Sequence, residues 1–528
     1  MKVLVTDKCN DKAREIISEV AEVDVLPTMS EDEYVENINK YDAVMIRSAS
    51  KITKRIIDAS THLKIIGRAG VGVDNIDVNA ATQKGIIVVN SPDGNTNAAA
   101  EHTVAMMLSM VRNIPEACIS TKAGNWDRAK FTGIEVFGKT LGVIGLGKIG
   151  HKVAKAALAL GMNVCVYDPY STEDAVKSAG CKYVANLDDF WGKCDFITVH
   201  VPKTKETLNL INKETIHKMK KGVRLINCAR GGIINEQDLR EALDEGYVAS
   251  AAIDVYCDEP NIKSCPLFGC DKNIVLTPHL GASTAEAQLN VAIDVAHQIK
   301  EVLSGGEATS AVNIPSLKPA ILEPVKDYML LAENLGEFSK QLANGNLKSV
   351  EISFKGSLAE LNTSPLETAV LKGVFGSFMQ EVNFVNADVI AKNKGIDVST
   401  VKNNQSSHYV STITVKVVTD KEISSVTGVL TAKDLRHIIK VNDFDTSIEP
   451  QANMILVPHD NKPSMVAKVA EIIAKEEINI NNMFVSPTNE KHLSVMIISL
   501  GNQADESLLK KIKEIDGVND AKYVHLSE

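Results

Sequence analysis

The stretch Gly138 to Pro169, GKTLGVIGLGKIGHKVAKAALALGMNVCVYDP, constrains this chain more than any other. Leu141 to Ile144 is a short apolar run of strand type, and Gly145, Gly147 and Gly150 follow it at the GxGxxG spacing. From Lys148 to Leu160 the apolar residues recur at helical spacing, and Asn163 to Tyr167 resumes as a strand. Gly145 permits the tight turn, Gly147 lets backbone approach a diphosphate, and Gly150 lets the helix pack on the strand. The amides that open the helix suit an anion. Asp168 ends the second strand, where a carboxylate holds both ribose hydroxyls of NAD and repels the extra phosphate of NADP. A glycine triplet alone can be an ordinary turn. Here strand, helix, strand and acid agree, and the expectation is dinucleotide binding with NAD preferred.

A chain of 528 residues calls for three or four domains. The formal charge of −10 argues against a nucleic-acid surface, which needs a basic stripe. No apolar run reaches membrane-spanning length, and Met1 to Thr6 reads as a strand, not a signal peptide. The nine cysteines form no CxxC pair and show no metal-ligand spacing. They are expected to be reduced thiols of a cytoplasmic protein, with no metal site.

Residues 1 to about 95 alternate strand and helix, with strands at Val3–Thr6, Ala43–Arg47, Ile65–Arg68 and Ile86–Asn90. In such parallel sheets ligands bind beyond the carboxyl ends of strands. Arg47 and Ser48 end one strand there, and Arg68 ends another with Gly70 and Gly72 close behind. Arginines at that edge suit an anion. A helix over Thr96–Val111 leads into the nucleotide domain, and its His102 is read as a helix residue without a catalytic part. Further strands are expected at Phe196–His200, Arg224–Cys228, Ala251–Val255 and Ile274–Leu276. A long helix after Leu280 returns to the first domain, which NIP (313–315) closes, and the proline-bearing linker SLKPAILEP follows. The domains expected are therefore 1–97 with 284–315, 98–283, 320–447 and 452–528. The third carries helices at Met329–Leu342 and Leu366–Ile390, and strands at Val350–Phe354, Val410–Val418 and Gly428–Leu430. The fourth has the strand, helix, strand, strand, helix, strand order of ferredoxin-like folds.

Three strand ends of the nucleotide domain carry chemistry: Arg230 in NCARGGI, Glu259 in DVYCDEP and His279 in TPHLGAS. Hydride transfer from a secondary alcohol needs a base for the hydroxyl proton, and histidine has the intrinsic pKa for it. Glu259 on the far ring nitrogen would fix the tautomer of His279. Arg230 would bind a carboxylate bidentately and polarise the adjoining carbonyl. Asp254 could accept from the nicotinamide amide.

The runs GLGKIG, NCARGGI, DVYCDEP and PHLGAST, with Asp168, resemble the D-isomer-specific 2-hydroxyacid dehydrogenases. Within that family, GRAGVGVDNID, VNSPDGNTNAAAEHT and the C-terminal half resemble the long phosphoglycerate dehydrogenases. The resemblance covers essentially the whole chain. It implies a Rossmann-type NAD domain, a discontinuous flavodoxin-like substrate domain, an α+β intervening (ASB) domain and a regulatory ACT domain of ferredoxin-like fold. It implies NAD-dependent oxidation of 3-phosphoglycerate to 3-phosphohydroxypyruvate, the first step of the phosphorylated route to serine.

Carried over, His279 is the acid/base, Glu259 its partner and Arg230 the substrate anchor. Cofactor contacts fall on Val71, Gly145, Gly147, Lys148, Ile149, Gly150, Asp168, Val201, Cys228, Ala229, Arg230, Asp254, His279, Gly281 and Ala282. Substrate contacts fall on Arg47, Ser48, Arg68, Gly70, Val71, Gly72, Asn95, Arg230 and His279. Arg128, in NWDRAKF, matches an arginine that reaches a neighbouring subunit, so a homodimer or homotetramer is implied. His459, Asn461 and Asn479 match the serine-binding positions of ACT domains. The chain departs from that pattern at Ser464, where a glycine normally follows Pro463 and where a Cβ crowds the effector's turn. Two rival readings stay open: another D-2-hydroxyacid dehydrogenase, such as a glyoxylate or hydroxypyruvate reductase, and a non-catalytic NAD-sensing scaffold.

Overall fold

The computed structural model describes residues 1–7, 9–270, 272–314, 319–379, 381–405, 408–432, 435–487 and 492–527. Pro315, the linker residues 316–318 and Gln380, within the helix expected over Leu366–Ile390, lie outside these residues.

Two parallel sheets make up the first three-fifths of the chain. The first has five strands in the spatial order Glu22–Val25, Lys2–Val5, Ala43–Ile46, Ile65–Arg68, Ile87–Asn90. This is the flavodoxin-like order. Its central strands are apolar and buried, as strands covered by helices on both faces must be. The second sheet has seven, in the order Ile274–Leu276, Val248–Ile253, Val223–Asn227, Phe196–Val199, Thr140–Ile144, Asn163–Tyr167, Lys182–Tyr183. Its direction of winding reverses between Thr140–Ile144 and Phe196–Val199, the switch point at which such sheets take a dinucleotide.

The long helix Ala285–Leu303 returns to the first sheet, where Val295 and Ile299 share a core with Val3, Met45 and Ile65. Gly67 makes the approach possible: a Cβ there would stand 2.5 Å from Val295 Cγ1. Asn313 then sews the returning chain to the last strand, accepting from Val88 N–H at 2.9 Å.

The third unit differs from its expected outline. Its sheet has six strands, in the order Asp397–Asn403, Leu347–Gly356, Ser411–Thr419, Ile423–Ala432, Leu435–Val441, Phe444–Ile448. Only the pairing of 347–356 with 397–403 is parallel. The helix expected over Leu366–Ile390 is two helices, Ser364–Gly376 and Ala387–Asn393. Helix Met329–Leu342 crosses Ser364–Gly376 at very short range. A Cβ on Gly336 would lie 2.2 Å from Val370 O, and one on Gly373 2.1 Å from Glu333 O.

The C-terminal sheet runs Ile480–Pro487, Leu493–Leu500, Asn453–Asp460, Lys522–His525, wholly antiparallel. Helices Met465–Lys475 and Glu506–Lys513 cover one face. The other face joins the core of the preceding unit, with Met454, Ile497 and Val524 packed in one cluster with Leu335 and Phe338.

The close crossing at Gly373 yields a direct test. Gly373→Ala forces a methyl into a backbone carbonyl, and overpacking of that kind costs about 1–3 kcal/mol. The urea midpoint of the transition that melts residues 319–450 should fall; an unmoved midpoint would contradict the crossing.

Candidate active site

The carboxyl ends of the two parallel sheets border a cleft of about 260 Å³. The first sheet contributes Arg68, Val71, Gly72, Asp74 and Asn95 to its wall. The second contributes Arg230, Glu259 and His279, together with Lys203, Tyr256 and Ala282.

The His279 end of the cleft is built around Asp254, whose side chain is fully buried just beyond strand Val248–Ile253. Its Oδ1 accepts from Thr277 Oγ1 at 2.6 Å and Leu280 N at 2.8 Å, and its Oδ2 accepts from Gly281 N at 2.9 Å. Its carbonyl accepts from His279 N at 2.8 Å. Burial pushes this carboxyl upward. The bonds from His102, Thr277 and Leu280 outweigh that and hold it below its usual range. The loop so pinned keeps His279 in the left-handed backbone region, at φ 54°. Its Nδ1 lies 2.6 Å from Glu259 Oε2, and Tyr256 N–H donates to Glu259 Oε1 at 2.7 Å. With Nδ1 turned to the carboxylate, Nε2 is the nitrogen left for a substrate.

The opposite wall is cationic. Arg230 Nε lies 3.4 Å from Asp74 Oδ2, and a Cβ at Gly72 would collide with Arg230 Nη2 at 2.3 Å. Arg68 folds over Gly70, where a Cβ would stand 1.7 Å from Nη1. Burial, and then the Arg230 charge, lower the Arg68 guanidinium to about 10. Its Nε and the Oδ1 of Asn95 are buried with no partner. An arginine nitrogen left without an acceptor at the wall of a cleft is a place for an anion.

The cofactor turn fits NAD. Gly145 has φ 91°, and a Cβ there would meet His200 O at 2.6 Å; one on Gly150 would meet Gly145 O at 2.1 Å. Gly147 alone of the three faces open space, with nothing within 4 Å. This is the room a diphosphate needs at the start of helix Lys148–Ala159. Asp168 accepts from Leu146 N at 2.8 Å, Tyr170 N at 2.8 Å and Ser171 Oγ at 3.0 Å. Three of its roughly four acceptor sites are in use, and the Ser171 hydroxyl is the one that can turn away. The Lys148 ammonium pairs with Asp93 across the cleft. Val201 lies against Gly145, and the Cys228 thiol is pushed up to about 12 by burial and then by Asp254.

Comparison with known proteins agrees with this geometry. The profile described as D-isomer specific 2-hydroxyacid dehydrogenase, NAD binding domain, matches residues 104–281. The D-3-phosphoglycerate dehydrogenase intervening domain matches 324–442, and an AHAS small subunit-like ACT domain matches 455–520. A D-3-phosphoglycerate dehydrogenase of Synechocystis is 44% identical over 99% of this chain and 95% of its own length. That of Bacillus subtilis is 38% identical over 99% of each. The chain belongs to the D-3-phosphoglycerate dehydrogenases. Like its family it is an NAD-dependent oxidoreductase. Among solved structures, a glyoxylate reductase from Paecilomyes thermophila is 30% identical, covering 60% of this chain and 99% of its own, with a TM-score of 0.55. A D-lactate dehydrogenase from Aquifex aeolicus, complexed with NAD and lactic acid, is 30% identical over 57% and 96%, with a TM-score of 0.52.

Several expected residues of this dehydrogenase stand elsewhere. Ser48 is exposed and Arg47 is half-buried, and neither lines the cleft; Asp7 pins their loop through Arg47 N and Ser50 N, each at 2.9 Å. Arg128 lies in an exposed turn at 128–131, away from this chain's cleft. His459 is buried, whereas Asn461 and Asn479 are exposed. His459 pairs with Ser494 while Asn479 precedes Ile480, which pairs with Leu500. Six residues of strand at about 3.3 Å each put the two roughly 20 Å apart. One chain therefore does not assemble the effector trio. Ser464 has φ 72°, a conformation that favours the glycine the pattern expects.

Lys203, Asp74 and Tyr256 were not expected in the cleft. Lys203 had a signal, since it follows VHVP at the end of strand Phe196–Val199. His102, read as a plain helix residue, has its Nε2 3.1 Å from Asp254 Oδ1. His102, Cys228 and Asp254 bring ligand-type atoms within 4.8 Å of one another, but Asp254 Oδ1 is occupied by protein donors.

The open space at Gly147 sets the next test. Gly147→Ala adds a methyl that touches no protein atom, so thermal stability should hold while the Kd for NAD rises about tenfold or more. Unchanged affinity in a calorimetric titration would remove Gly147 from the cofactor site.

Proposed function

We propose that this dehydrogenase oxidises 3-phospho-D-glycerate to 3-phosphohydroxypyruvate, opening the phosphorylated route to L-serine. The observation that carries the reading is the His279–Glu259 pair, 2.6 Å apart, in a cleft that also holds Arg68, Arg230 and Lys203. A substrate with a phosphate and a carboxylate needs several cations, whereas glyoxylate or hydroxypyruvate needs one carboxylate site.

In this reading Arg230 and the amides of Val71 and Gly72 receive the carboxylate, the Gly70 amide being already given to Arg68 O at 2.8 Å, and Arg68 and Lys203 face the phosphate. Asn95, with its partnerless Oδ1, is a hydrogen-bond acceptor for the substrate. Bound in the glycine turn, NAD would supply the acceptor for the C2 hydride. His279 Nε2 takes the C2 hydroxyl proton, and Glu259 stabilises the imidazolium that results. In reverse, Arg230 polarises the C2 carbonyl while His279 returns the proton. Asp168 would hold the ribose, Asp254 would accept from the nicotinamide carboxamide, and the amides of Lys148 and Ile149 would meet the diphosphate. Val71, Val201, Cys228, Ala229, Gly281 and Ala282 complete the cofactor's walls.

The same reading assigns residues 1–97 and 284–315 to substrate, 98–283 to NAD, 320–447 to the intervening domain and 452–528 to regulation. L-serine is the proposed effector. The separation of His459 from Asn479 supports a site shared between copies of the chain, hence a homodimer or homotetramer in which Arg128 also serves a neighbour. Among the described residues no helix is long and apolar enough to cross a membrane, and all nine cysteines are free thiols. Free thiols fit a reducing cytoplasm.

The test is NADH formation at alkaline pH from 3-phosphoglycerate, with and without L-serine. Wild type should turn over, and His279→Ala should lose about 10²–10⁴-fold in kcat while still binding NAD. Serine should depress the wild-type rate. Turnover of glyoxylate but not 3-phosphoglycerate would replace this reading with the reductase. A rate indifferent to serine would leave the enzyme and retire the effector site.

A further inference from the structure

Helix Thr96–Val111 runs from the substrate wall at Asn95 into the nucleotide unit, and His102 projects from its second turn. The ring is mostly buried, with 19% of the side chain exposed. Its Nε2 has two neighbours, Asp254 Oδ1 at 3.1 Å and Thr277 Oγ1 at 3.4 Å. Thr277 gives its single proton to Asp254 at 2.6 Å, so toward His102 that hydroxyl can only accept. Both neighbours of Nε2 are acceptors, and Nε2 therefore carries a hydrogen.

The consequence falls on Asp254. Oδ1 takes three donors, from Thr277, Leu280 and His102, while Oδ2 takes one, from Gly281. Each carboxylate oxygen has about two lone pairs, so Oδ1 shares two among three donors, His102 at 3.1 Å being the longest, while Oδ2 keeps one unused. Thr277, Leu280 and Gly281 all belong to the catalytic loop itself. His102 is the donor that comes from a different element and fixes the carboxylate against the rest of the domain.

We propose that His102 is a positioning residue for hydride transfer, which fixes the Asp254 carboxylate so that the lone pair of Oδ2 left unused by Gly281 is kept for the nicotinamide carboxamide. This rests on the reading of Asp254 given above. The expected benefit is selectivity for a cofactor whose ring substituent carries an N–H donor, and it is separable from the acid–base work of His279.

The test is equilibrium binding, by calorimetry, of NAD and of 3-acetylpyridine adenine dinucleotide, in which a methyl ketone replaces the amide. His102→Leu keeps bulk without a donor, His102→Asn has a donor too short to reach, and His102→Gln can present a donor at the Nε2 position. Loss of a hydrogen bond to a charged group corresponds to about tenfold in affinity. His102→Leu and His102→Asn should weaken NAD about tenfold, with little change for the analogue, and so erase the preference. His102→Gln should keep it. Using both variants that lack a donor within reach guards against one that does not fold. If Asp254→Asn erases the preference while both keep it, the inference falls and the Asp254 reading stands. If Asp254→Asn also keeps it, both fall together.

Discussion

A single carboxylate with no exposure to water holds the His279 end of the cleft in place. Asp254 gathers the amides of Leu280 and Gly281 and the hydroxyl of Thr277 on its side chain, and the amide of His279 on its carbonyl. Without those bonds nothing would hold a histidine in the left-handed region, a conformation that costs about 1–3 kcal/mol. The strain is offset by the loop's own hydrogen bonds, and in return the ring is aimed at Glu259. A continuous line of bonds thus runs from the buried strand Val248–Ile253 to the ring that would exchange a proton.

The two sides of the cleft are finished to different degrees. On the nucleotide side almost every polar group has a partner: His279 has Glu259, Glu259 has Tyr256 N, and Asp168 has three donors. On the other side Arg68 Nε and Asn95 Oδ1 are buried without one. That asymmetry suits the proposed dehydrogenase, whose acid–base pair would be set in advance while its substrate supplies the missing partners, an acceptor for Arg68 Nε and a donor for Asn95 Oδ1. Buried groups left unpaired by the wrong molecule discriminate far more strongly than a pocket's shape can.

What the sequence made legible follows from burial. Thr96–Val111, Asn163–Tyr167, Ile274–Leu276 and Met329–Leu342 stand where their apolar spacing puts them. Glu22–Val25 and Asp397–Asn403 were not foreseen because both are sheet edges whose residues are largely exposed, which removes the apolar signal. The site divides in the same way. Arg230, Glu259 and His279 end strands within recognisable runs, so their meeting could be foreseen. The contact of His102 with Asp254, and the place of Lys203 in the cleft, depend on how distant elements pack, and no local spacing records that. Arg128 was read as reaching a neighbour's substrate site, and His459 with Asn479 as an effector site at a dimer interface; neither is assembled within one copy of the chain.

The C-terminal sheet looks, along the sequence, like a cassette that could be added or removed at residue 450. Its packing says otherwise. Met454, Leu456, Val495, Ile497 and Val524 are buried in the same cluster as Leu331, Leu335 and Phe338, and Gln341 clasps both the amide and the carbonyl of His525. The preceding unit in turn reaches the first sheet's domain, where Asn383 donates to Gly85 O at 2.9 Å and Phe384 joins that domain's core. The tail is thus a keystone rather than an appendage: loss of it strips the cover from a neighbour's interior, and inheritance of the dehydrogenase half alone would require a new surface to be invented.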